Sequence, residues 1–126
     1  MPETCLILAV DDDAEERARW VTALETAGYR VVEASNGREA LAHFDAGTVP
    51  HVLVLDLMMP ELDGASLLQA LRDRGLRERV RVVLATGVSS PLVRRLIEAD
   101  AYLFKPFDEV ELLAAVAQAC ARGLDR

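Results

Sequence analysis

The sequence predicts an α/β domain, an open, doubly wound sheet of parallel strands with helices on both faces. Three observations predict it. Short apolar runs recur at Leu6–Val10, Arg30–Ala34, Val52–Leu55, Val80–Ala85 and Tyr102–Phe104. Most lack polar alternation, which marks strands buried on both faces, as in a parallel sheet covered by helices. Amphipathic stretches with helix-start signals lie between the runs, so the order is β-α, five times over. This pattern does not by itself fix the order of the strands.

The elements follow in sequence. After Leu6–Val10, Asp13-x-x-Glu16 forms a capping box for a helix over Ala14–Ala27, and Gly28 stops it. Trp20 is assigned to the packing of this helix. After Arg30–Ala34, Asn36-x-x-Glu39 caps a helix that ends near Gly47. After Val52–Leu55, Asp63 caps a third helix whose apolar stripe is Leu67, Leu68 and Leu71. Ser90 then supplies a cap before Pro91 at the first helical position. Asp108-x-x-Glu111 caps the last helix, in which Val110, Leu113, Val116 and Cys120 recur at helical spacing.

Composition bounds the function. A chain of 126 residues is one domain's worth, so residues 1–126 are taken as a single unit. With 52% hydrophobic and 28% charged residues it is ordinary globular protein. The formal charge of −7 repels phosphate backbones and argues against direct nucleic-acid binding. It suits a divalent cation or a basic partner surface. No apolar run approaches a membrane span, and the N-terminal MPETC has no signal-peptide pattern, so a soluble, cytoplasmic protein is expected. Cys5 and Cys120 lie near the two ends of the chain. They are expected as small buried hydrophobes in a reducing cytosol, not as a disulfide. His43 and His51 are expected at the surface or the core edge, away from any site.

The chemistry lies at the strand ends, since ligands of open α/β sheets sit outside the carboxyl ends of the strands. Asp11, Asp12 and Asp13 follow the first run, Asp56 the third, Thr86 the fourth and Lys105 the fifth. Asp13 is better read as the helix cap. Carboxylates gathered on one rim repel one another and need a positive partner. A hard cation such as Mg²⁺ takes oxygen ligands and keeps open positions for phosphate oxygens. An Asp can also accept a phosphoryl group covalently. An ammonium and a hydroxyl nearby would steady its remaining oxygens. Lys105 is the only lysine in the chain, the other 13 basic residues being arginine. A compact ammonium suits a point contact to a single oxygen.

At this point the residues resemble a known family. AVDDD at 9–13, LVLDLMMPELDG at 53–64, ATG at 85–87 and YLFKPF at 102–107 resemble the receiver domain of two-component response regulators, the CheY-like family. The likeness covers nearly the whole chain. It implies a flavodoxin-like (βα)5 fold with strand order 2-1-3-4-5. It implies that Asp56 is the phosphoacceptor, and that Asp11 and Asp12 hold Mg²⁺ together with Asp56 and the backbone carbonyl of Met58. Thr86 and Lys105 would grip the phosphoryl group. Tyr102 would be the switch aromatic that turns inward when Thr86 moves. The resemblance also favours a cis Lys105–Pro106 bond.

It further implies a module that takes a phosphoryl group from a histidine kinase or histidine phosphotransfer protein. The module would answer through a downstream protein on its last helix–strand–helix surface, and a homodimer on phosphorylation is left open. It would not be a turnover enzyme, though it promotes its own phosphorylation and dephosphorylation. The chain ends soon after the last helix, so it is expected to be a stand-alone receiver or one cut from a longer protein. Two departures stand out. Glu98-Ala99-Asp100 replaces a frequent glycine, which is expected to lengthen or stiffen the fourth helix. Gly87 and its neighbours Val88, Ser89 and Ser90 are expected to form a mobile loop. Met58 and Val88, two residues past Asp56 and Thr86, are apolar and offer nothing to orient water, so slow self-dephosphorylation is expected.

Two alternatives compete. One is a degenerate receiver acting as a phosphorylation-independent scaffold, which the intact acids, Thr86 and Lys105 argue against. The other is a small haloacid-dehalogenase-like phosphohydrolase using Asp11, since Asp11-x-Asp13 mimics its nucleophile motif. There Glu15 stands where Thr or Val is wanted, and LDLMMPELDG goes unexplained. No GxxxxGK[ST] or GxGxxG nucleotide motif is present.

Overall fold

The structure, a computed structural model, describes residues 5–59, 62–88 and 91–124. The N-terminal residues read for a signal peptide, the Ser90 cap and half of the expected mobile loop lie outside them. The described chain runs β1 (Leu6–Val10), α1 (Ala14–Thr26), β2 (Arg30–Ala34), α2 (Gly37–Asp45), β3 (Val52–Asp56), α3 (Gly64–Asp73), β4 (Arg81–Thr86), α4 (Pro91–Leu96), β5 (Ala101–Phe104) and α5 (Glu109–Leu124). A single 3-10 turn at Arg77–Arg79 precedes β4. The sheet is fully parallel, in the order β2-β1-β3-β4-β5.

Alternation along the central strands divides the core between two faces. Leu8, Val10, Leu53, Leu55, Val82 and Leu84 pack with Phe44 of α2, Leu67, Leu68 and Leu71 of α3 and Val93 of α4. Ile7, Ala9, Val52, Val54, Val83 and Ala85 pack with Trp20 and Leu24 of α1 and Leu112 and Val116 of α5. Both sides of these strands are therefore apolar, which is why they read as continuous hydrophobic runs.

The caps form where the sequence places them. Asn36 accepts from the Glu39 N–H at 2.9 Å, Asp63 from the Ser66 N–H at 2.8 Å and Asp108 from the Glu111 N–H at 2.9 Å. Asp13 accepts from the N–H groups of Glu15 and Glu16. The second half of that capping box does not form, because the Glu16 side chain turns to Lys105 instead.

Gly64 explains the DG of the 53–64 motif. A Cβ there would lie 3.0 Å from both the Asp56 carbonyl oxygen and the Leu57 Cα. The Gly64 N–H donates to the Leu57 carbonyl at 3.0 Å. The start of α3 therefore lies directly against the chain leaving β3, an approach that a Cβ would force apart by a few tenths of an ångström.

Three expectations need correction. The fourth helix is short and ends at Leu96. Asp100 does not extend it, because its carboxylate accepts from the Val82 N–H at 2.7 Å and its own N–H donates to the Val82 carbonyl. Val116 and Cys120 are buried and Leu113 packs against the core as expected, but Val110, in the first turn of α5, is exposed, and Leu112 and Ala119 complete the buried face. Cys5 and Cys120 are buried as expected but joined as a disulfide, with Cα atoms 6.2 Å apart. A separation of 115 residues hid this neighbourhood, which arises because the end of α5 packs beside the start of β1. The Lys105–Pro106 bond is cis, as the resemblance favours.

Candidate functional site

The strand order creates the site. The chain goes from β1 to one side, then returns past it to β3, so the carboxyl ends of β1 and β3 flank the point where the winding reverses. Asp11 follows β1 and Asp56 ends β3, both buried, while Asp12 is exposed. One carboxylate oxygen from each of Asp11, Asp12 and Asp56 lies within 4.8 Å of the others. Thr86 ends β4 with no exposed surface, and its hydroxyl oxygen accepts from the Val88 N–H at 3.0 Å. Asp56 lies opposite Ala85 in the ladder, so Thr86 reaches one residue further along the next strand. The Lys105 N–H donates to the Thr86 carbonyl at 2.8 Å, which brings the lysine to the same rim. Its ammonium lies 3.4 Å from Asp56 Oδ1 and 3.9 Å from Asp11 Oδ2. The structure thus brings together Asp11, Asp12, Asp56 and Lys105, with Thr86 alongside.

Two residues at the site carried no signal of such a role. Glu16 of α1 places its Oε1 2.5 Å from Lys105 Nζ. It had been accounted for as half of a capping box, although it stands one turn before the buried Trp20 on the same helix face. Arg17 donates from Nη1 to the Asp11 carbonyl at 2.6 Å and pairs through Nε with Glu33 of β2 at 2.9 Å. It ties the turn carrying Asp11 to the edge strand. An arginine on an amphipathic helix gives no sequence sign of this.

The electrostatics are strained by excess negative charge. Burial, with the Glu16 carboxylate beside it, pushes Asp11 up to about 8. Burial also pushes Asp56 above the usual carboxylate range, against the opposing pull of Lys105. Burial acts on Glu16 in the same sense, but hydrogen bonding to Asp11 and Lys105 outweighs it and holds Glu16 low. Lys105 is held above its ordinary value, since its carboxylate neighbours, Glu16 first, outweigh its burial. Asp11 Oδ2 is buried without a hydrogen-bond partner. An orphaned carboxylate oxygen beside two further carboxylates is what a hard divalent cation needs, so the residues fit Mg²⁺.

The other assigned residues fall into place around this centre. Met58 lies on the loop leaving β3 with its side chain exposed, and Val88 is exposed after Thr86. Asp13 is a cap, its Oδ1 taken by two backbone N–H groups, which leaves the haloacid-dehalogenase motif without its second acid. His43 bonds the Glu33 carbonyl and His51 accepts from the Leu6 N–H, both away from the acidic rim. Tyr102 is half-buried. Its hydroxyl donates to the Ile97 carbonyl at 2.5 Å and accepts from the Ala99 N–H at 3.1 Å, tying β5 to the end of α4. The Arg94 guanidinium lies 4.7 Å from the centre of its ring.

Comparison with known proteins decides the family. The response regulator receiver domain family matches residues 7–117. The chain belongs to that family. It is 43% identical over 111 residues to the response regulator MprA of Mycobacterium leprae, covering 87% of this chain and 48% of that protein. It is 31% identical over 113 residues to the protein PilG of Pseudomonas aeruginosa, covering 87% of this chain and 83% of that one. The receiver domain of the Francisella response regulator 1452 superposes with a TM-score of 0.85 at 31% identity, covering 94% of this chain and 98% of that one. The chain spans about half the length of curated relatives of the MprA kind. Membership in this receiver family supports a phosphoacceptor role in two-component signalling. Among the described residues, no helix is long and apolar enough to cross a membrane.

Proposed function

We propose that this receiver accepts a phosphoryl group on Asp56 from a phosphohistidine, in a transfer that depends on Mg²⁺. One observation carries the reading. A buried carboxylate, Asp56, lies beside the Lys105 ammonium and near the orphaned Asp11 oxygen, at the point where the sheet's winding reverses. An Asp56 oxygen forms the new O–P bond as the donor's N–P bond breaks, and the imidazole leaves with the electron pair and takes up a proton. Asp11, Asp12, Asp56 and the Met58 carbonyl would hold the cation. When bound, it neutralises phosphoryl oxygens and draws the acyl phosphate's charge. Lys105 supplies a positive charge to a further oxygen, and the Thr86 hydroxyl supplies a hydrogen bond. Asp56 is consumed and regenerated rather than turned over on a free substrate, so the chain acts as a switch and not as an enzyme in the ordinary sense.

The readout would pass through α4, β5 and α5. The Thr86 hydroxyl, which accepts from the Val88 N–H, would donate its proton to the phosphoryl group, and a shift of Thr86 toward that group would draw the Val88 backbone with it. Tyr102, bonded to both ends of the turn after α4, is placed to follow. A cytoplasmic setting suits a donor that is a phosphohistidine protein.

Intact-mass spectrometry after incubation with acetyl phosphate and Mg²⁺ tests the proposal. One added phosphoryl group is expected, absent without Mg²⁺ and absent in Asp56→Ala. A folded protein that binds Mg²⁺ yet takes no phosphoryl group from acetyl phosphate or a phosphorylated kinase would restore the scaffold reading.

A further inference from the structure

Lys105 has a shorter partner than the acceptor it would serve. Its ammonium lies 2.5 Å from Glu16, against 3.4 Å from Asp56 and 3.9 Å from Asp11. Its Nζ also lies 5.9 Å from the centre of the Trp20 ring. Glu16 and Trp20 are four residues apart on α1, so one face of that helix offers a carboxylate and an aromatic face together. The Trp20 ring is buried and stands against Phe107, their centres 6.2 Å apart, which fixes the berth from behind. Glu16 Oε1 is buried, and the Lys105 ammonium against it is its counter-charge.

We infer that Glu16 is a positioning residue that holds Lys105 in a resting berth on α1, in competition with a phosphoryl group on Asp56. The inference rests on the phosphoacceptor reading above. A charge-assisted N–H···O bond needs roughly 2.7–2.9 Å. Lys105 therefore approaches an oxygen on Asp56 by lengthening its contact with Glu16. The exchange of one ion pair for another sets how tightly the phosphoryl group is gripped. A partly exposed ion pair of this kind shifts such an equilibrium by about three- to fivefold.

The test uses fluoroberyllate as a phosphoryl mimic, on the full chain at saturating Mg²⁺. Trp20, the single tryptophan, reports departure of the lysine by its fluorescence. Glu16→Gln is expected to bind fluoroberyllate about three- to fivefold more tightly than wild type. Its fluorescence in Mg²⁺ alone is expected to move toward the ligand-bound value. Glu16→Asp, which keeps the charge, is expected to stay near wild type. Glu15→Gln removes the same charge from the neighbouring exposed position and is expected to change neither reading. Glu16→Ala replaces Glu16→Gln should the amide fail to fold. Equal or weaker fluoroberyllate binding by the folded Glu16 variants would overturn the inference, as would a loss confined to Mg²⁺ affinity. If wild type itself binds no fluoroberyllate at saturating Mg²⁺, the phosphoacceptor reading falls and the inference with it. Normal wild-type binding with unchanged variants sinks the inference alone.

Discussion

The two rims of the sheet differ in how they gather charge, carboxylates crowding the carboxyl rim and arginines standing along the amino rim. At the amino rim, many groups are paired through the backbone, although Arg77 Nε and Arg81 Nε are buried without a hydrogen-bond partner. The Leu6 N–H donates to His51 Nδ1, the His51 N–H returns to the Leu6 carbonyl, and the Arg81 N–H donates to the His51 carbonyl. Asp100 exchanges two bonds with Val82, and Arg122 lies 3.5 Å from it. Arg77 donates to the carbonyls of Val80 and Glu98. At the carboxyl rim, Asp11, Asp56 and Glu16 share one ammonium, Asp12 adds a further carboxylate, and Asp11 Oδ2 has no hydrogen bond. One rim is arranged for stability and the other stores repulsion that a cation and a phosphoryl group would relieve. The difference locates function more sharply than any single residue does.

Neutralising one carboxylate on each rim breaks or confirms that contrast most strongly. Asp11→Asn is expected to raise the melting temperature of the protein in chelator above about pH 8, where it removes a buried repelled charge. The same change should weaken Mg²⁺ binding by at least about tenfold, because ligand loss exceeds the loss of an outer contact. Asp100→Ala should do the reverse. It leaves the buried Val82 N–H without its acceptor, at a cost of about 1–3 kcal/mol, and leaves Mg²⁺ binding alone. Calorimetry and Mg²⁺ titration of both variants decide it. A lower melting temperature for both variants in chelator would mean that the rims do not differ.

Gly64→Ala comes next, because it couples stability to the site. The new methyl group would meet the Asp56 carbonyl and Leu57 Cα at 3.0 Å, both of them backbone. Overpacking of this kind costs roughly 1–3 kcal/mol. The backbone that must yield carries the acceptor, so phosphorylation by acetyl phosphate should slow as well. A destabilised variant that is phosphorylated at the wild-type rate would separate the glycine from the site.

What the sequence showed and what it hid follow the same division. Strand runs, four of the helix caps and the residues ending each strand depend on neighbours within a few positions. Asp11, Asp56, Thr86 and Lys105 were therefore legible, as was the parallel sheet. Glu16 was not, because its role depends on α1 lying against the chain after β5, which local pattern does not encode. The Cys5–Cys120 disulfide was hidden for the same reason, its halves meeting only once α5 packs on the sheet. The short α4 was misjudged because Asp100 is used by β4 and Tyr102 by the turn before β5. In each case a tertiary partner overrode a local preference.

A pH titration sharpens the contrast with a smaller effect. Asp11 and Asp56 both ionise less readily in the fold, Asp11 rising from 3.8 to about 8. A raised carboxylate stabilises the fold while protonated, so this contribution is complete below the ordinary range and disappears as pH rises toward about 8. Glu16 has the opposite sign, its contribution fading as pH falls through its lowered value. In chelator, the melting temperature of wild type should therefore fall relative to Asp11→Asn as pH rises from 3.8 to about 8. Added Mg²⁺ should recover most at the upper end. A constant gap between the two proteins across that window would remove Asp11 from the account.

The smallest effect concerns lifetime and should leave stability nearly untouched. Met58 and Val88 border the site, and both are exposed at 66% and 43%. Exposed substitutions of this kind change stability by within about 0.5 kcal/mol. Neither side chain can hold a water for attack on an acyl phosphate, so the phosphoryl group should persist. Met58→Asn with Val88→Glu places an amide and a carboxylate where the apolar groups stood. Water positioned by such groups is poised to attack phosphorus, so the phosphoryl lifetime should shorten severalfold, at an unchanged melting temperature. The decay of the phosphorylated mass after removal of acetyl phosphate measures it directly. An unchanged lifetime would show that hydrolysis is controlled deeper in the rim, by how Lys105 and Thr86 hold the group rather than by what borders it.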